Sequence, residues 1–380
     1  MTKYPTSKTR IVGMEVTILR IPTIRAHTLS MATMKDQRCV VIQIETEDGL
    51  VGLGEAATIG GLAYSDESPE GIKLTLEKYF KPIILGMDSA RPGEVMYRIR
   101  SCVVGNFFAK MAVDTALLDI TGKRSGLPVS ELVGGRITNR LEVAWTLASG
   151  DTLQDISEGR RVLDDRRHRH FKLKIGKRSW QEDVEHAGRI VDAFKGEATI
   201  RVDLNQAWDL ATAKRAVPAL VEAGVTLVEQ PLSVNDLEGS RILRETTHAS
   251  IMADESLRGG SIAAKRITDA KAADVFALKI AQAGGLFACR SVAELGLANG
   301  MALYGGTMLE GPIATIASAH LFSTLPEFAW GTELFGPLLL AENPILQSLN
   351  YHEFGLEISE KPGLGVEINP DALQEFSEYD

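Results

Sequence analysis

The sequence predicts an α/β protein in which a parallel barrel of the (β/α)8 type follows a smaller α+β domain. Its 380 residues are too many for one ordinary domain, and they suit a barrel of about 250 residues with a companion. From about residue 141, short apolar runs recur at intervals of mostly 23–30 residues, with helical stretches between them. Before that point strands come first and helices follow, which is an α+β pattern.

The first third of the chain carries the strand and helix patterns of the smaller domain. Residues 16–20 and 39–45 are rich in β-branched residues and partly alternate in polarity, which predicts two strands. Asp48 and Gly49 predict a hairpin after the second of them. Helices are predicted from Pro69, which follows the N-cap residue Ser68, to about Phe80, and over residues 107–123.

The barrel is predicted from a series of eight apolar runs. Helical periodicity lies between them, for example over residues 209–223 and 261–272. An open doubly wound sheet is the alternative, although it would usually have fewer strands. The predicted strands are 141–147, 171–175, 198–203, 225–230, 250–255, 275–280, 301–306 and 328–334.

Composition excludes several classes of partner. The chain has 41 basic and 50 acidic residues and a net charge of -9, which disfavours binding to nucleic acid or to an anionic membrane. Three widely separated cysteines, Cys39, Cys102 and Cys289, predict free thiols in a reducing compartment. Because the N-terminus lacks an apolar signal-peptide region and no run is long enough to span a membrane, we expect a cytoplasmic protein.

Charged residues stand at the ends of consecutive predicted barrel strands. Parallel strands deliver such side chains to one end of the barrel, where the active sites of barrel enzymes lie. A charge after an apolar run often marks only the place where a strand meets solvent, but that interpretation explains five consecutive strands poorly. The residues are Lys172, Lys174, Asp203, Glu229, Asp254, Lys279 and Glu333.

The types of these residues predict a metal site beside a proton-transfer site. Three converging carboxylates need a cation between them, and oxygen ligands without His or Cys favour Mg²⁺ or Mn²⁺. Lys172 and Lys174 lie two apart on one strand and point to the same face. Their mutual repulsion is expected to lower the pKa of an ammonium group, while Lys279 faces them across the metal. Such a set of groups is suited to stabilising an enolate.

These motifs resemble the muconate-lactonizing subgroup of the enolase superfamily, and the resemblance covers essentially the whole chain. A lysine late in the barrel, where the mandelate racemase type has a histidine, separates this subgroup. The resemblance implies an enolase-like fold with a modified (β/α)7β barrel over residues 133–345. It also implies an α+β capping domain over residues 1–132, to which residues 346–380 return. The motifs are Lys172-x-Lys174, Asp203-x-Asn205, Glu229-Gln230-Pro231, Asp254-Glu255-Ser256 and Lys279.

The resemblance also implies roles for individual residues. Lys174 is the implied acid/base, Lys172 tunes it, and Lys279 adds positive charge to the intermediate. Glu333 is the acidic residue that the family places at the last strand. The implied metal ligands are Asp203, Glu229 and Asp254, and the implied substrate-binding residues are Ile59, Tyr64, Asn205 and Phe335.

Within the subgroup the chain is similar to the muconate cycloisomerases, on the stretches 58–71, 142–152, 304–311 and 331–340. The implied reaction is the reversible conversion of cis,cis-muconate, a small dicarboxylate, to muconolactone through a metal-stabilised enolate in aromatic catabolism. Implied with it are Mn²⁺ or Mg²⁺ as cofactor and a homo-oligomer, often an octamer. Chloromuconate cycloisomerases are the first alternative, although they tend to carry Asp at the position of Glu310. o-Succinylbenzoate synthesis and the racemisation or epimerisation of acylated amino acids or dipeptides share the ligand set, so ligands alone do not choose the reaction.

Overall fold

The computed structural model describes residues 8–28 and 33–378. The two predicted N- and C-terminal segments, 1–132 and 346–380, include residues 1–7, 29–32 and 379–380, which lie outside the described part of the chain. In the described residues no helix combines the length and apolar character needed to cross a membrane.

A three-stranded antiparallel sheet forms the N-terminal part of the fold. Its strands are β1 (Ile11–Thr28), β2 (Thr33–Thr46) and β3 (Val51–Ala57), in the order β1-β2-β3. The hairpin predicted at Asp48 and Gly49 is confirmed, because β2 and β3 pair on either side of it. Strand β1 is far longer than the predicted strand at 16–20, and its pairing with β2 is interrupted between Pro22 and His27.

Helices follow this sheet, as predicted. The helix predicted after Ser68 is confirmed: the hydroxyl of Ser68 accepts a hydrogen bond from the backbone N–H of Gly71 at 3.1 Å and caps the first turn. A short 3₁₀ turn, Gly61–Ala63, precedes it. The helices are α1 (Pro69–Thr75), which continues into a π-helical turn (Leu76–Phe80), α2 (Lys81–Ile84), α3 (Pro92–Cys102), α4 (Phe107–Ser125) and α5 (Val129–Leu132).

Helix α4 packs directly on strand β3, and two glycines make the close approach possible. A β-carbon at Gly54 would lie 2.0 Å from the carbonyl oxygen of Ala112, and one at Gly52 would lie 2.2 Å from that of Ala116. Since such distances are impossible, only glycine fits at these two positions. The Gly-x-Gly pattern of β3 therefore serves helix packing.

A seven-stranded parallel sheet curls through the second part of the chain. Its strand order follows the sequence without interruption, and β4 (Arg140–Glu142) lies just before it. The strands are β5 (Trp145–Leu147), β6 (His170–Lys174), β7 (Thr199–Asp203), β8 (Val228–Glu229), β9 (Ile251–Ala253), β10 (Val275–Leu278) and β11 (Ala302–Gly305).

Each strand of this sheet is followed by helix, which confirms the predicted α/β barrel class. A 3₁₀ turn, Glu255–Leu257, comes between β9 and α10. The helices are α6 (Thr152–Asp164), α7 (Trp180–Ala193), α8 (Leu210–Glu222), α9 (Leu237–Thr246), α10 (Ser261–Ala270), α11 (Ile280–Ala283), α12 (Leu286–Ala298) and α13 (Pro312–Phe322).

The eighth predicted strand, 328–334, is wrong as a strand. Only Thr332 pairs there, as an isolated parallel bridge to Val143 on one side and to Gly305 on the other. The backbone N–H of Glu333 donates to the carbonyl of Gly305 at 2.7 Å, and that of Ala144 donates to the carbonyl of Thr332 at 2.7 Å. One residue thus closes the gap between the first and last strands of the barrel and sets Glu333 at its mouth.

The last part of the chain contacts both the barrel and the N-terminal sheet. Strand β13 pairs with β4, while the backbone N–H of Glu378 donates to the carbonyl of Ile18 in β1 at 2.9 Å. The remaining elements are α14 (Gly336–Leu339), β12 (Tyr351–His352), β13 (Gly355–Glu357) and α15 (Pro370–Phe376).

Candidate active site

A narrow cavity lies at the C-terminal ends of the barrel strands, beneath the N-terminal sheet. All the predicted site residues except Glu229 and Asn205 line it. Lysines from β6 and from the end of β10 face carboxylates from β7 and from the end of β9 across this space. The lining residues are His27, Ile59, Tyr64, Thr146, Lys172, Lys174, Asp203, Asp254, Lys279, Thr307, Leu309, Glu333 and Phe335.

Buried ion pairs join the lysines to the acids. Lys174 pairs with Asp203 and also donates to the side-chain oxygen of Asn205 at 3.2 Å. Lys279 donates to Asp254, with Nζ and Oδ2 2.7 Å apart. Asp203 and Glu229 are opposite each other in the parallel pairing of β7 and β8, and Lys172 pairs with both, so these groups form one cluster.

Lys172 lies at the centre of this cluster, and its pKa runs against the sequence prediction. Its Nζ is 3.1 Å from Glu229 Oε2 and 3.3 Å from Asp203 Oδ2, and it also pairs with Glu333. Burial alone would lower the pKa of Lys172, but the charges of the three carboxylates outweigh it and hold the pKa well above the usual value. The lowering predicted from repulsion between lysines therefore does not apply to Lys172.

Glu229 is a buried acid whose pairing with Lys172 only partly compensates for its burial. Burial, together with the charge of Asp203, raises the pKa of Glu229 well above its usual value despite the attraction of Lys172. Its Oε1 has no hydrogen-bond partner among the described residues. A buried carboxylate oxygen with no partner, beside two further acids, is a fitting ligand for a hard divalent cation.

In this structure the carboxylates of Asp203, Glu229 and Asp254 are each paired with a lysine side chain. Across residues 8–28 and 33–378, no three His, Cys, Asp or Glu side chains stand as a group that could hold a metal ion. The donor set still fits a divalent ion, since Asp203, Glu229 and Asp254 supply only oxygen atoms from three successive strand ends.

Gln230 and Ser256 come from the Glu229-Gln230-Pro231 and Asp254-Glu255-Ser256 motifs, and their side chains hydrogen-bond to each other. The side-chain oxygen of Gln230 accepts hydrogen bonds from the backbone N–H of Asp254 at 3.0 Å and from the hydroxyl of Ser256 at 2.8 Å. Its amide nitrogen donates to the carbonyl of Leu232 at 2.9 Å. Gln230 thus locks the strand end that carries Glu229 to the one that carries Asp254.

Tyr64 and Ile59 come from the N-terminal part of the chain and cover the cavity. The Tyr64 hydroxyl donates to Asp254 Oδ2 at 2.6 Å and accepts from Lys279 Nζ at 3.0 Å. Arg258 stacks over the Tyr64 ring and donates to its backbone carbonyl at 2.7 Å. The tyrosine is therefore fixed against the barrel at both ends.

Asn205, predicted to bind substrate, does not line the cavity. Its amide nitrogen donates to Asp203 at 3.3 Å and to Glu255 at 3.0 Å, and its oxygen accepts from Lys174. Asn205 has a φ of 43°, a left-handed conformation that asparagine tolerates better than most residues. The turn after β7 thus places its amide behind Lys174, where it orients the lysine.

His27 is a cavity residue that sequence patterns missed. Its side chain is only 1% exposed, and its Nδ1 has no partner within the described part of the chain. Burial and the nearby charges of Arg25, Lys174 and Lys172 lower its pKa to about 3, so the imidazole is neutral. It lies near the end of β1, where the alternation of strand residues carries no mark of function. Thr146 of β5 was missed for the same reason, whereas Thr307 and Leu309 lie in the irregular segment after β11.

Known proteins share this architecture. Residues 155–372 match the family described as enolase C-terminal domain-like, and residues 13–134 match the mandelate racemase / muconate lactonizing enzyme N-terminal domain. Muconate cycloisomerase 1-2 of Acinetobacter lwoffii is 49% identical over 96% of this chain and 94% of its own. A chloromuconate cycloisomerase of Pseudomonas putida is 38% identical over 97% of this chain and 99% of its own.

A solved structure agrees with these sequence relatives. The muconate lactonizing enzyme of Pseudomonas fluorescens, crystallised in complex with muconolactone, is 47% identical to this chain and has a TM-score of 0.96. The match covers 98% of this chain and 100% of that one. The chain therefore belongs to the mandelate racemase / muconate lactonizing enzyme family of the enolase superfamily, and the muconate cycloisomerases are its relatives there.

Proposed function

We propose that this protein is a muconate cycloisomerase, an intramolecular lyase that converts cis,cis-muconate reversibly to muconolactone in the catechol/β-ketoadipate branch of aromatic catabolism. One observation carries the proposal: three lysines surround a cavity above buried acids, in a chain whose muconate cycloisomerase relatives are aligned over nearly its full length. The lining has three lysines and three acids, Asp203, Asp254 and Glu333, so a bound divalent cation would give it the net positive charge that suits a small dianion.

Lys174 is the proposed acid/base. In the forward direction a carboxylate oxygen of the substrate bonds to a carbon of its own conjugated double bond, and Lys174 gives a proton to the α-carbon. In reverse Lys174 removes that proton and the carbon–oxygen bond breaks. The hydrogen bond to Asn205 and the pairing with Asp203 fix the direction of its ammonium group.

A divalent metal ion is the proposed cofactor, held by Asp203, Glu229 and Asp254. When bound, Mn²⁺ or Mg²⁺ supplies positive charge that stabilises an electron-rich carboxylate. The orphaned Oε1 of Glu229 supports this assignment. Binding would also free Lys172 and Lys279 from part of their pairing with the acids.

The other residues bind and enclose the substrate. Lys279 adds positive charge opposite Lys174, and Lys172 links the cluster to Glu333 at the last strand position. Ile59 and Tyr64 close the cavity from above, and Phe335 packs against Trp145 in the barrel mouth with ring centroids 5.2 Å apart. This cover limits the access of water to the reacting carbon.

We further propose the division into residues 1–132, 133–345 and 346–380, a cytoplasmic location and a homo-oligomeric state. The two family matches, 13–134 and 155–372, support the first boundary. All three cysteines are free thiols, which supports a reducing compartment. Size-exclusion chromatography with light scattering tests for the octamer.

The function is tested by incubating the protein with Mn²⁺ and cis,cis-muconate while the diene absorbance is followed. We expect loss of the diene signal and formation of muconolactone. A parallel reaction with a chloromuconate tests the first alternative, and faster turnover of that substrate would reverse the assignment. Unchanged diene absorbance with metal verifiably bound would reject cycloisomerisation altogether.

A further inference from the structure

The segment that follows β11 forms one wall of the cavity. Thr307 and Leu309 from this segment both line it. Leu309 has a φ of 57°, in the left-handed region that non-glycine residues seldom occupy. Because such a conformation costs about 1 kcal/mol or more, neighbouring groups must hold the wall in place.

Glu310 belongs to this segment and stabilises its turn by hydrogen bonds to neighbouring residues. Its carboxylate accepts hydrogen bonds from the hydroxyl of Thr307 and, at 2.7 Å, from the backbone N–H of Met308. The hydroxyl of Thr307 accepts in turn from the backbone N–H of Leu309 at 2.9 Å. These local bonds give the turn its shape, but they do not fix its position relative to the rest of the cavity.

Gln37 of strand β2 holds the same wall from outside the barrel. Its Nε2 donates to the carbonyl oxygen of Leu309 at 2.6 Å and to that of Met308 at 3.3 Å. The side chain is 2% exposed, so no water competes for these bonds. Gln37 of strand β2 therefore binds the carbonyl group of Leu309, the residue with the left-handed conformation, and that of Met308 before it.

Glu55 of strand β3 binds the C-terminal end of the same segment. Its carboxylate accepts from the backbone N–H groups of Gly311 at 2.5 Å, Ile313 at 3.0 Å and Ala314 at 3.2 Å, at the N-terminus of α13. The contact is close: a β-carbon at Gly311 would lie 2.8 Å from Glu55 Oε1. A carboxylate at a helix N-terminus is stabilised by the free N–H groups and the helix dipole.

We propose that Gln37 and Glu55 are positioning residues for substrate, which set the cavity wall at Thr307 and Leu309 from the N-terminal sheet. Neither residue lines the cavity, so each acts on it through the segment 307–311, which Gln37 contacts directly and Glu55 contacts at Gly311 and at the start of α13. The inference rests on the proposed function, because the ligand of the cavity is taken to be the dicarboxylate. The N-terminal sheet would then help to determine which substrate fits the cavity, in addition to covering the cavity.

Asp114 of α4 provides a matched control. It too is a buried carboxylate from the N-terminal part of the chain, and it accepts from the backbone N–H of Leu286 at 2.7 Å, at the start of barrel helix α12. Leu286 does not line the cavity. Asp114→Asn and Glu55→Gln therefore make the same chemical change at two comparable contacts, of which only one supports the wall.

The test measures steady-state kinetics with cis,cis-muconate and Mn²⁺, together with amide hydrogen exchange by mass spectrometry, for Glu55→Gln, Gln37→Met and Asp114→Asn. For the first two variants we expect KM to rise about tenfold with kcat changed less than about threefold, and faster exchange over residues 307–311. Asp114→Asn is expected to speed exchange at the start of α12 and to leave KM unchanged.

The proposal is overturned if KM and exchange over 307–311 stay at the wild-type values in Gln37→Met, or if Asp114→Asn raises KM as much as Glu55→Gln. Gln37→Met keeps the side-chain length and decides the matter even where Glu55→Gln does not fold. If the wild-type protein leaves muconate unchanged, the proposed function fails. The hydrogen-exchange measurement then still shows whether Gln37 and Glu55 stabilise residues 307–311.

Discussion

Lys174 is the residue on which the proposed chemistry depends most. We expect Lys174→Ala to lower kcat by about 10³-fold or more, the upper range for loss of a general acid or base. Metal affinity is expected to persist, since Asp203, Glu229 and Asp254 are unchanged. Turnover of muconate and Mn²⁺ titration of the same sample check both parts. A variant with the wild-type rate would remove Lys174 from the mechanism.

The pH dependence of the enzyme should not come from His27. Because burial and neighbouring cations lower its pKa to about 3, the imidazole stays neutral and does not titrate between pH 5 and 8. His27→Gln is therefore expected to keep the shape of the pH profile of kcat/KM in that range, whatever it does to KM. Loss of one limb of the profile in this variant would show that His27 titrates in the wild-type enzyme.

Single residues were predictable where strand geometry determines their place. The acids and lysines at strand ends share one end of the barrel because parallel strands run in register, as Asp203 and Glu229 do. The pKa direction of Lys172 was not predictable, because it depends on three carboxylates whose distances only the folded chain fixes. The position of Asn205 behind Lys174 likewise depends on a turn geometry that the motif does not encode.

At the scale of elements, the contact between α4 and β3 tolerates no added atoms. We expect Gly54→Ala to lower the free energy of unfolding by about 3 kcal/mol, because its β-carbon would overlap the carbonyl of Ala112. Gly93→Ala in α3 is the control: no atom of the described residues lies within 4 Å of its added β-carbon, and the change is expected to stabilise the helix by up to about 1 kcal/mol. Urea unfolding measures both. Equal stabilities would contradict the packing described.

Two buried carboxylates at helix N-termini should make the fold less stable as pH rises. Burial raises the pKa of Glu55 to about 7 and that of Asp114 to about 6, above their ordinary values of 4.5 and 3.8. The folded state thus binds these protons more tightly than the unfolded chain. Their stabilising contribution is complete below about pH 4 and is lost as pH rises through 6 and 7.

Comparison with amidated variants isolates this effect. Between pH 5 and 8, the free energy of unfolding of the wild type should fall more than that of the Glu55→Gln/Asp114→Asn variant, since the amides do not titrate. Urea unfolding at the two pH values gives the difference. The same fall in both proteins would mean that neither carboxyl group has a raised pKa.

Elements were predictable where several residues share one pattern. The hairpin at Asp48 and Gly49 and the capped helix after Ser68 have local causes, so the sequence alone indicates them. The eighth strand was wrong because apolar residues at 328–334 resemble a strand, whereas backbone pairing there is limited to Thr332. The length of β1 also escaped prediction, because it is fixed by pairing with β2 and not by its own composition.

At the scale of the whole molecule, the barrel supplies the charged groups and the N-terminal part completes their enclosure. Tyr64 bonds to Asp254, Glu55 caps α13, and Asp114 caps α12, so the two parts meet through buried polar contacts. A net charge of -9 repels polyanions from the surface. Inside the cavity, three lysines balance the three lining acids, so the proposed divalent cation would leave a net positive charge for a small dianion.

The most direct test of the central claim is the reaction of cis,cis-muconate in D₂O, with the product followed by NMR for the wild-type protein and for Lys174→Ala. We predict that the wild type forms muconolactone with one solvent deuterium at the α-carbon, because the proton donated by Lys174 exchanges with solvent before transfer. Lys174→Ala should form no product in the same time. Muconolactone formed equally fast by the variant, or none formed by the metal-loaded wild type, would contradict the account.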